Sequence, residues 1–521
     1  MPERNNVERD TVRRRSFWNV LFGRGAVIVL MLLAQLAFLF IMFFRLEQYS
    51  FYLTTAVTVG TAVFLAYLLN TRQDPTVKLT WCIIIALAPV FGVLLYLFIS
   101  LDLGHRQEKK LLHQVEQESA RYMPAQRELT ARLKREEPGF FNLMTYTAQN
   151  GYPVYENTAV TYFPQGEDKF EELLRRLEQA EKFIFLEYFI IEEGYMWSRV
   201  LEILQRKAAQ GVDVRVLYDG TCAILHLPYG YPKTLEKLGI QCRVFAPIRP
   251  FISTAYNNRD HRKILVIDGH TGFTGGVNLA DEYINRRERF GHWKDTAVML
   301  RGDAVRSMTV MFLRLWNAGD KDRVYEPYLI EPTAPTGRDL GYVIPYGDSP
   351  MDNVRLGEMV YLDMINTARD YVYIMTPYLI LDNEVLTALT FAARRGVDVK
   401  VILPGIPDKK YTNVLAKSHY RELTEAGVEI HEYTPGFLHA KQFVSDGVRA
   451  VVGTINLDYR SLYLHFECGV YLYKSPVIDD ILADFKTTLD RCRAVTMEDI
   501  KKQKTITRLT GAILKLAAPL M

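Results

Sequence analysis

Three long apolar runs precede residue 105, spanning 25–44, 51–69 and 79–101, and none carries a charged side chain. Each approaches or exceeds the roughly 20 residues that a helix needs to cross a bilayer core. The pattern predicts a membrane region over 1–104 with two to three transmembrane helices. Residues 105–150 change character: they are charged and helix-prone, with Leu111, Leu112, Val115, Tyr122 and Leu129 as sparse apolar positions. That predicts a helical connector. Beyond it, short β-rich runs alternate with helical patterns such as 173–180, 200–209, 356–367 and 384–394. Alternation of this kind predicts an α/β fold with helices covering a largely buried sheet.

The α/β part repeats itself. The run EKFIFLEYFI from Glu181 matches RDYVYIMTPYLI from Arg369, and QGVDVRVLYDG from Gln210 matches RGVDVKVILPG from Arg395. LGIQCRVFAP from Leu238 corresponds to EAGVEIHEYTP from Glu425. HRKILVIDGHTGFTGGVNL from His261 corresponds to HAKQFVSDGVRAVVGTINL from His439. Two copies in the same order at one long period mean an internal duplication rather than a solenoid. The halves are expected at 151–335 and 336–521, the second ending in a C-terminal helix, with the boundary in the Pro- and Gly-rich stretch near Pro335. Tyr188 and Tyr378 end the matched early strands, where packing and lining a pocket are equal readings.

Both copies of the last matched segment hold His-x-Lys followed, after four residues, by Asp: His261, Lys263 and Asp268, then His439, Lys441 and Asp446. In a strand, residues two apart share a face, so each His and Lys point together. A Gly-containing turn and an Asn follow: Gly275, Gly276 and Asn278 in one copy, Gly453, Thr454 and Asn456 in the other. Two copies related by a pseudo-two-fold would converge two imidazoles, two ammonium groups and two amides on a tetrahedral anion. Gly276 offers only backbone where Thr454 keeps a hydroxyl. Asp268 and Asp446 each precede Gly, a strong turn signal, so these two motif members read at least as well as structural supports.

Composition narrows the field without deciding it. The 521 residues carry a formal net charge of only +3, which does not demand nucleic acid. Five cysteines lie scattered, with no CxxC pair and no metal-ligand spacing, so no zinc site is expected. Arg4, Arg9, Arg13, Arg14, Arg15 and Arg24 argue for a cytoplasmic N-terminus, while Arg106, Lys109 and Lys110 after the third run pull the other way.

The paired motifs resemble the two HxKxxxxD signatures of the phospholipase D superfamily, over about residues 150–495. The segment KLTWCIIIALAPVFGVLLY and the ending TRLTGAILKLAAPLM are similar to those of bacterial cardiolipin synthases. The resemblance implies a catalytic set of His261, Lys263, Asp268, His439, Lys441 and Asp446. One His, with His261 favoured, would attack phosphorus to form a phosphohistidine while the other protonates the leaving alcohol. The lysines, Asn278, Asn456, Thr454, Gly275 and Gly453 would hold the phosphate, and Glu467 and Asp295 would orient the imidazoles. The implied reaction joins two phosphatidylglycerol molecules into cardiolipin and glycerol in the cell membrane, by a multi-pass protein, with no cofactor, metal or nucleic acid. Hydrolysis by water, transfer to serine or ethanolamine, and a non-catalytic membrane scaffold are the alternatives. The stretch 508–521 is expected either to dock on the bilayer or to pack on its own domain.

Overall fold

The computed structural model describes residues 30–37, 40, 50–71, 73–100, 103–247, 258–331, 340–352 and 354–518. They separate into two units: the N-terminal apolar helices, and a larger one holding the described residues between Lys109 and Lys515.

In the N-terminal unit, α1 (Ser50–Leu69) is uncharged throughout and 20 residues long, about 30 Å at the helical rise. It is the one helix among the described residues long and apolar enough to cross a membrane. The apolar run 79–101 does not form a second such helix. It is divided between α2 (Pro75–Leu87) and α3 (Pro89–Ser100), of 13 and 12 residues, each roughly 20 Å long. Pro89 lacks the N–H that a continuing helix needs, and the chain breaks at Ala88. The two helices then fold back on each other: a Cβ at Gly92 would lie 2.7 Å from the Ile85 Cα. Asp74 caps α2 by accepting from the Thr76 and Val77 amides. Leu68, Trp81, Ile85 and Tyr96 form the small core. The first apolar run, 25–44, falls largely outside the described residues, as does the boundary near Pro335.

The larger unit opens on helical segments over 109–119, Arg127–Glu136 and Pro138–Gln149, and continues with β1 (Thr158–Phe163), α4 (Gly166–Glu178), β2 (Phe183–Tyr188), α5 (Tyr195–Ala209), β3 (Asp213–Asp219) and β4 (Gln241–Phe245). There follow β5 (Arg259–Asp260), β6 (Lys263–Ile267), β7 (Thr271–Gly275), β8 (His292–Lys294), β9 (Ala297–Gly302) and α6 (Val305–Trp316). The second copy runs through β10 (Tyr342–Asp348), α7 (Leu356–Thr367), β11 (Tyr371–Met375), α8 (Asn383–Arg394), β12 (Asp398–Pro404), α9 (Lys410–Ala426) and β13 (Glu429–Tyr433). It closes with β14 (Gly436–Leu438), β15 (Gln442–Ser445), β16 (Arg449–Gly453), β17 (His465–Tyr473), α10 (Val477–Leu489), β18 (Cys492–Ala494), α11 (Met497–Lys501) and α12 (Thr505–Ala517).

The first sheet has the order β1-β9-β7-β6-β2-β3-β4; the second reads β10-β17-β16-β15-β11-β12-β13-β18. Strand for strand the order is the same, with β18 added at one edge, so the duplication read from sequence is a duplication of topology. The β2-β3-β4 ladder is parallel while β6, β7 and β9 pair antiparallel. The halves are not separate domains. One apolar core joins Ile264, Val266 and Val298 of the first sheet, α6, and Val343, Val451 and Val470 of the second.

The structural register corrects one pairing. Phe183 and Tyr371 occupy matching places, each donating its amide to the motif Asp of its own half. Tyr188 therefore matches Thr376, and Tyr378 matches Ile190. Tyr188 is fully buried beside Lys169, which makes it a packing residue. The Tyr378 hydroxyl donates to Asp408 at 2.7 Å.

Candidate active site

The motif residues meet because the halves exchange short strands. β5, just before His261, pairs in parallel with β17 of the second sheet. β14, just before His439, pairs in parallel with β8 of the first half. The backbone completes the exchange: the His261 amide donates to the Phe466 carbonyl at 2.9 Å and the His439 amide to the Lys294 carbonyl at 2.7 Å.

This crossing puts each imidazole against a carboxylate of the other half. His261 Nδ1 lies 2.9 and 3.0 Å from the two oxygens of Glu467. His439 Nδ1 lies 2.7 Å from Asp295 Oδ2. Both acids are fully buried, and the imidazoles are 7 % exposed. A buried carboxylate on Nδ1 holds the proton there and leaves the Nε2 lone pair for chemistry. Lys441 Nζ also approaches His439 Nδ1, at 2.8 Å. One ring nitrogen cannot donate to Asp295 and accept from Lys441 together, and the shorter, charge-assisted contact with Asp295 governs. Lys441 donates instead to the His439 carbonyl, as Lys263 does to the His261 carbonyl at 2.5 Å.

Burial sets the protonation states. It pushes His261 down to about 3 against the opposing pull of Glu467, with Lys263 adding to the shift. Burial and Lys441 push His439 down to about 4. At neutral pH both rings are then uncharged, the state a nucleophile or base needs. Lys263 is lowered by burial to about 8 and Lys441 to about 7. Lys263 feels Glu467 and Asp295, and Lys441 feels Lys263. The two ammonium groups therefore share one electrostatic field, which an anion between them would relieve.

Several predicted phosphate ligands have other duties. Thr454 Oγ1 donates to Glu467 Oε2 and accepts from the Cys468 amide, so it supports the carboxylate that orients His261. Gly276 occupies the matching place, where any Cβ would overlap Asp295 Oδ1. The departure from a hydroxyl residue is thus the space that Asp295 requires. At Gly453 a Cβ would stand 2.5 Å from the Cys468 carbonyl, and at Gly275 it would overlap the Thr296 carbonyl. These glycines allow close strand approach. The amides of Gly276 and Thr454 are spent on Thr296 and Cys468, so neither turn is a free anion nest. Asn278 accepts from the Ile190 amide at 3.1 Å and donates to Tyr283 Oη at 2.7 Å, leaving one amide hydrogen. Asn456 is 5 % exposed and its Oδ1 has no partner.

Asp268 and Asp446 each hold backbone amides of their own half. Asp268 accepts from the amides of Glu181, Lys182 and Phe183 at 2.7–2.8 Å. Asp446 does the same for Arg369, Asp370 and Tyr371 at 2.8–3.0 Å. Both lie beyond the far end of the strand that starts near the motif Lys. In the first half that strand is five residues long, roughly 16 Å.

Sequence reasoning passed over the aromatic and basic surroundings. His465 is 8 % exposed, its ring lies 5.6 Å from that of His261, and its Nδ1 lies 3.8 Å from Glu467 Oε1, with no hydrogen-bond partner within 3.5 Å of either ring nitrogen among the described residues. Its signal was its place two residues before Glu467 on one strand, hence the same face. His439 sits instead among Trp293, Tyr283 and Phe437, with ring centroids at 5.5, 5.5 and 5.7 Å. The pseudo-two-fold is therefore broken in chemistry: one imidazole has a polar neighbour, the other an aromatic box. Lys169, fully buried on α4, donates to the Val277 carbonyl at 3.1 Å. In the second half Tyr361 serves the equivalent Ile455 carbonyl. His261, His465 and Glu467 are also close enough to gather three ligand atoms within 4.8 Å, as are Glu358, Asp382 and Glu384. Lys263 and Lys441 lie beside the two motif imidazoles.

Comparison with known proteins follows the same lines. A family model described as cardiolipin synthase, phospholipase D-like domain, matches residues 173–316 and 361–489. A phospholipase D-nuclease N-terminal model matches 59–100. An uncharacterised protein of Streptococcus mutans is 53% identical over 87% of this chain and 99% of its own length. A cardiolipin synthase of Halalkalibacterium halodurans is 32% identical over 90% of this chain and 92% of its own. Among solved structures, the phosphatidylserine synthase of Haemophilus influenzae has the same fold. It aligns with a TM-score of 0.55 at 14% identity, covering 72% of this chain and 97% of that one.

Proposed function

The chain belongs to the cardiolipin synthase family of phospholipase D-type enzymes, and from that premise we propose that it joins two phosphatidylglycerol molecules into cardiolipin with release of glycerol. The observation that carries the reading is the crossed pairing of each motif His with a carboxylate of the other half. It supports one shared site with two oriented imidazoles, which is what a double displacement at phosphorus requires.

In the first step Nε2 of His261 attacks the phosphorus of one phosphatidylglycerol. The bond from phosphorus to the glycerol oxygen breaks, and His439 gives that oxygen a proton. The approaching phosphodiester anion favours a protonated His439, opposing the burial that otherwise keeps it neutral. In the second step His439 removes the proton from a hydroxyl of the second phosphatidylglycerol, whose oxygen attacks phosphorus. The phosphorus–nitrogen bond breaks, freeing His261 and cardiolipin. Lys263 and Lys441 neutralise charge on the non-bridging oxygens throughout, and Asn456 with the spare Asn278 hydrogen adds donors. The phosphoryl group passes between alcohols, so no nucleotide and no redox cofactor enters the balance.

Membrane attachment through α1 suits lipids as both donor and acceptor. The short α2–α3 pair favours a hairpin entering one face of the bilayer over a second full crossing. With purified full-length protein in phosphatidylglycerol vesicles, products separated by mass should be cardiolipin and free glycerol in equal amounts. Phosphatidic acid as the main product would overturn the reading in favour of hydrolysis.

A further inference from the structure

A basic cavity lies apart from the candidate active site, beneath the C-terminal helix. Between α9, α11 and α12 is a cavity of about 280 Å³, lined by Lys417, Arg421, Lys501, Arg508 and Lys515 and by no acidic side chain. Two of the five cations are occupied: Arg421 pairs with Glu425, and Arg508 donates to the carbonyls of Ile500 and Lys501. Among the described residues Lys417 and Lys501 form no ion pair, whereas the neighbouring Lys502 pairs with Glu498. Lys515 is half-buried; burial lowers its pKa, with Glu422 the acid that opposes the shift. Glu425 and Glu422 offset part of this charge from outside the lining, and a concave site whose own lining carries five cations and no acid is complementary to an anion.

The helix above the cavity shows what brings the anion. Gly511 of α12 is buried and packs closely on Val414 and Ser418 of α9. Away from that seam, Ile506, Leu509 and Ile513 are 66 %, 58 % and 59 % exposed. At 100° per residue these three fall within about a 60° sector. Ala512, which lines the cavity, stands only about 60° from Leu509 around the helix. An apolar stripe open to solvent therefore borders a cationic cavity on one short amphipathic helix. That combination seats a helix in the headgroup layer of an anionic membrane.

We propose that this cavity is a second lipid site, separate from the catalytic one, which takes the phosphate headgroup of an anionic phospholipid while Ile506, Leu509 and Ile513 enter the acyl boundary. The inference rests on the membrane reading above but not on the reaction catalysed. Because α1 holds the protein in any bilayer, the test must read the cavity and not overall membrane binding. Full-length protein in nanodiscs of neutral phosphatidylcholine, with and without added phosphatidylserine, is compared by amide hydrogen exchange over 505–517. Phosphatidylserine should protect this segment.

The double variant Lys417→Gln/Lys501→Gln should weaken the apparent affinity for phosphatidylserine by roughly 10- to 30-fold, so that a content giving full protection in the wild type leaves the variant largely unprotected. Lys417→Arg/Lys501→Arg should restore it, which separates lost charge from lost folding. Equal protection in neutral and anionic discs, or an undiminished response in the Gln variant, overturns the proposal. Protection that follows protein concentration in neutral detergent would make the occupant a second copy of the chain and overturn it as well. A loss of cardiolipin synthesis with lipid-dependent protection intact would contradict only the catalytic reading.

Discussion

At the scale of single residues, the four side chains proposed to be catalytic are distinguished from their supports by what each touches. Among the described residues the Glu467 carboxylate makes its polar contacts with the His261 imidazole, Thr454 and His465, so Glu467→Gln should spare the fold and remove the tautomer control. We expect kcat to fall about 10²- to 10⁴-fold with the melting temperature nearly unchanged, measured on cardiolipin formation and by calorimetry. The lysines predict a pH profile. Lys263 and Lys441 are lowered to about 8 and about 7, so each loses charge as pH rises through that range. The free enzyme should then bind the phosphodiester more weakly, and kcat/KM should fall on the alkaline side with apparent values that belong to the pair. Lys441→Arg keeps its charge at any working pH. It should push the alkaline limb upward while lowering the plateau, because a planar fork replaces a point charge.

At the scale of elements, the motif aspartates start strands. Each accepts three backbone amides at the entry of β2 or β11, and each sits at positive φ, +52° for Asp268 and +53° for Asp446. Asp268→Ala leaves three amides without their acceptor, at a cost of about 2–4 kcal/mol. Denaturant unfolding should register that loss, while kcat per folded molecule stays within a few-fold of wild type. The turn signal of Asp-Gly was legible in the chain, and so was the alternation that gives both sheets. What periodicity could not show was that β5 and β14 add to the other half's strands. Those strands are two and three residues long, too short for any pattern, and they decide which acid meets which His. Glu467 and Asp295 were readable as orienting acids, but their exchange between halves was not. The third apolar run misled for a similar reason: composition gave its length, while the break at Ala88 and the contact at Gly92 depend on tertiary packing. Gly276 shows the reverse case, in which an odd residue in the motif becomes intelligible once Asp295 is seen to need its space.

At the scale of the whole molecule, duplication produced one site and not two. Each half supplies an imidazole, a lysine and the carboxylate that serves the other half's imidazole, and one core runs through both sheets. The aromatic box around His439 and the polar His465 beside His261 then give the two equivalent positions different surroundings. The most direct test of this shared site is cardiolipin formation by His261→Ala, His439→Ala and the double variant, each reconstituted in phosphatidylglycerol vesicles. A single site predicts that each single variant is as inactive as the double, at least about 10³-fold below wild type; a half-maximal rate in either single variant would contradict it.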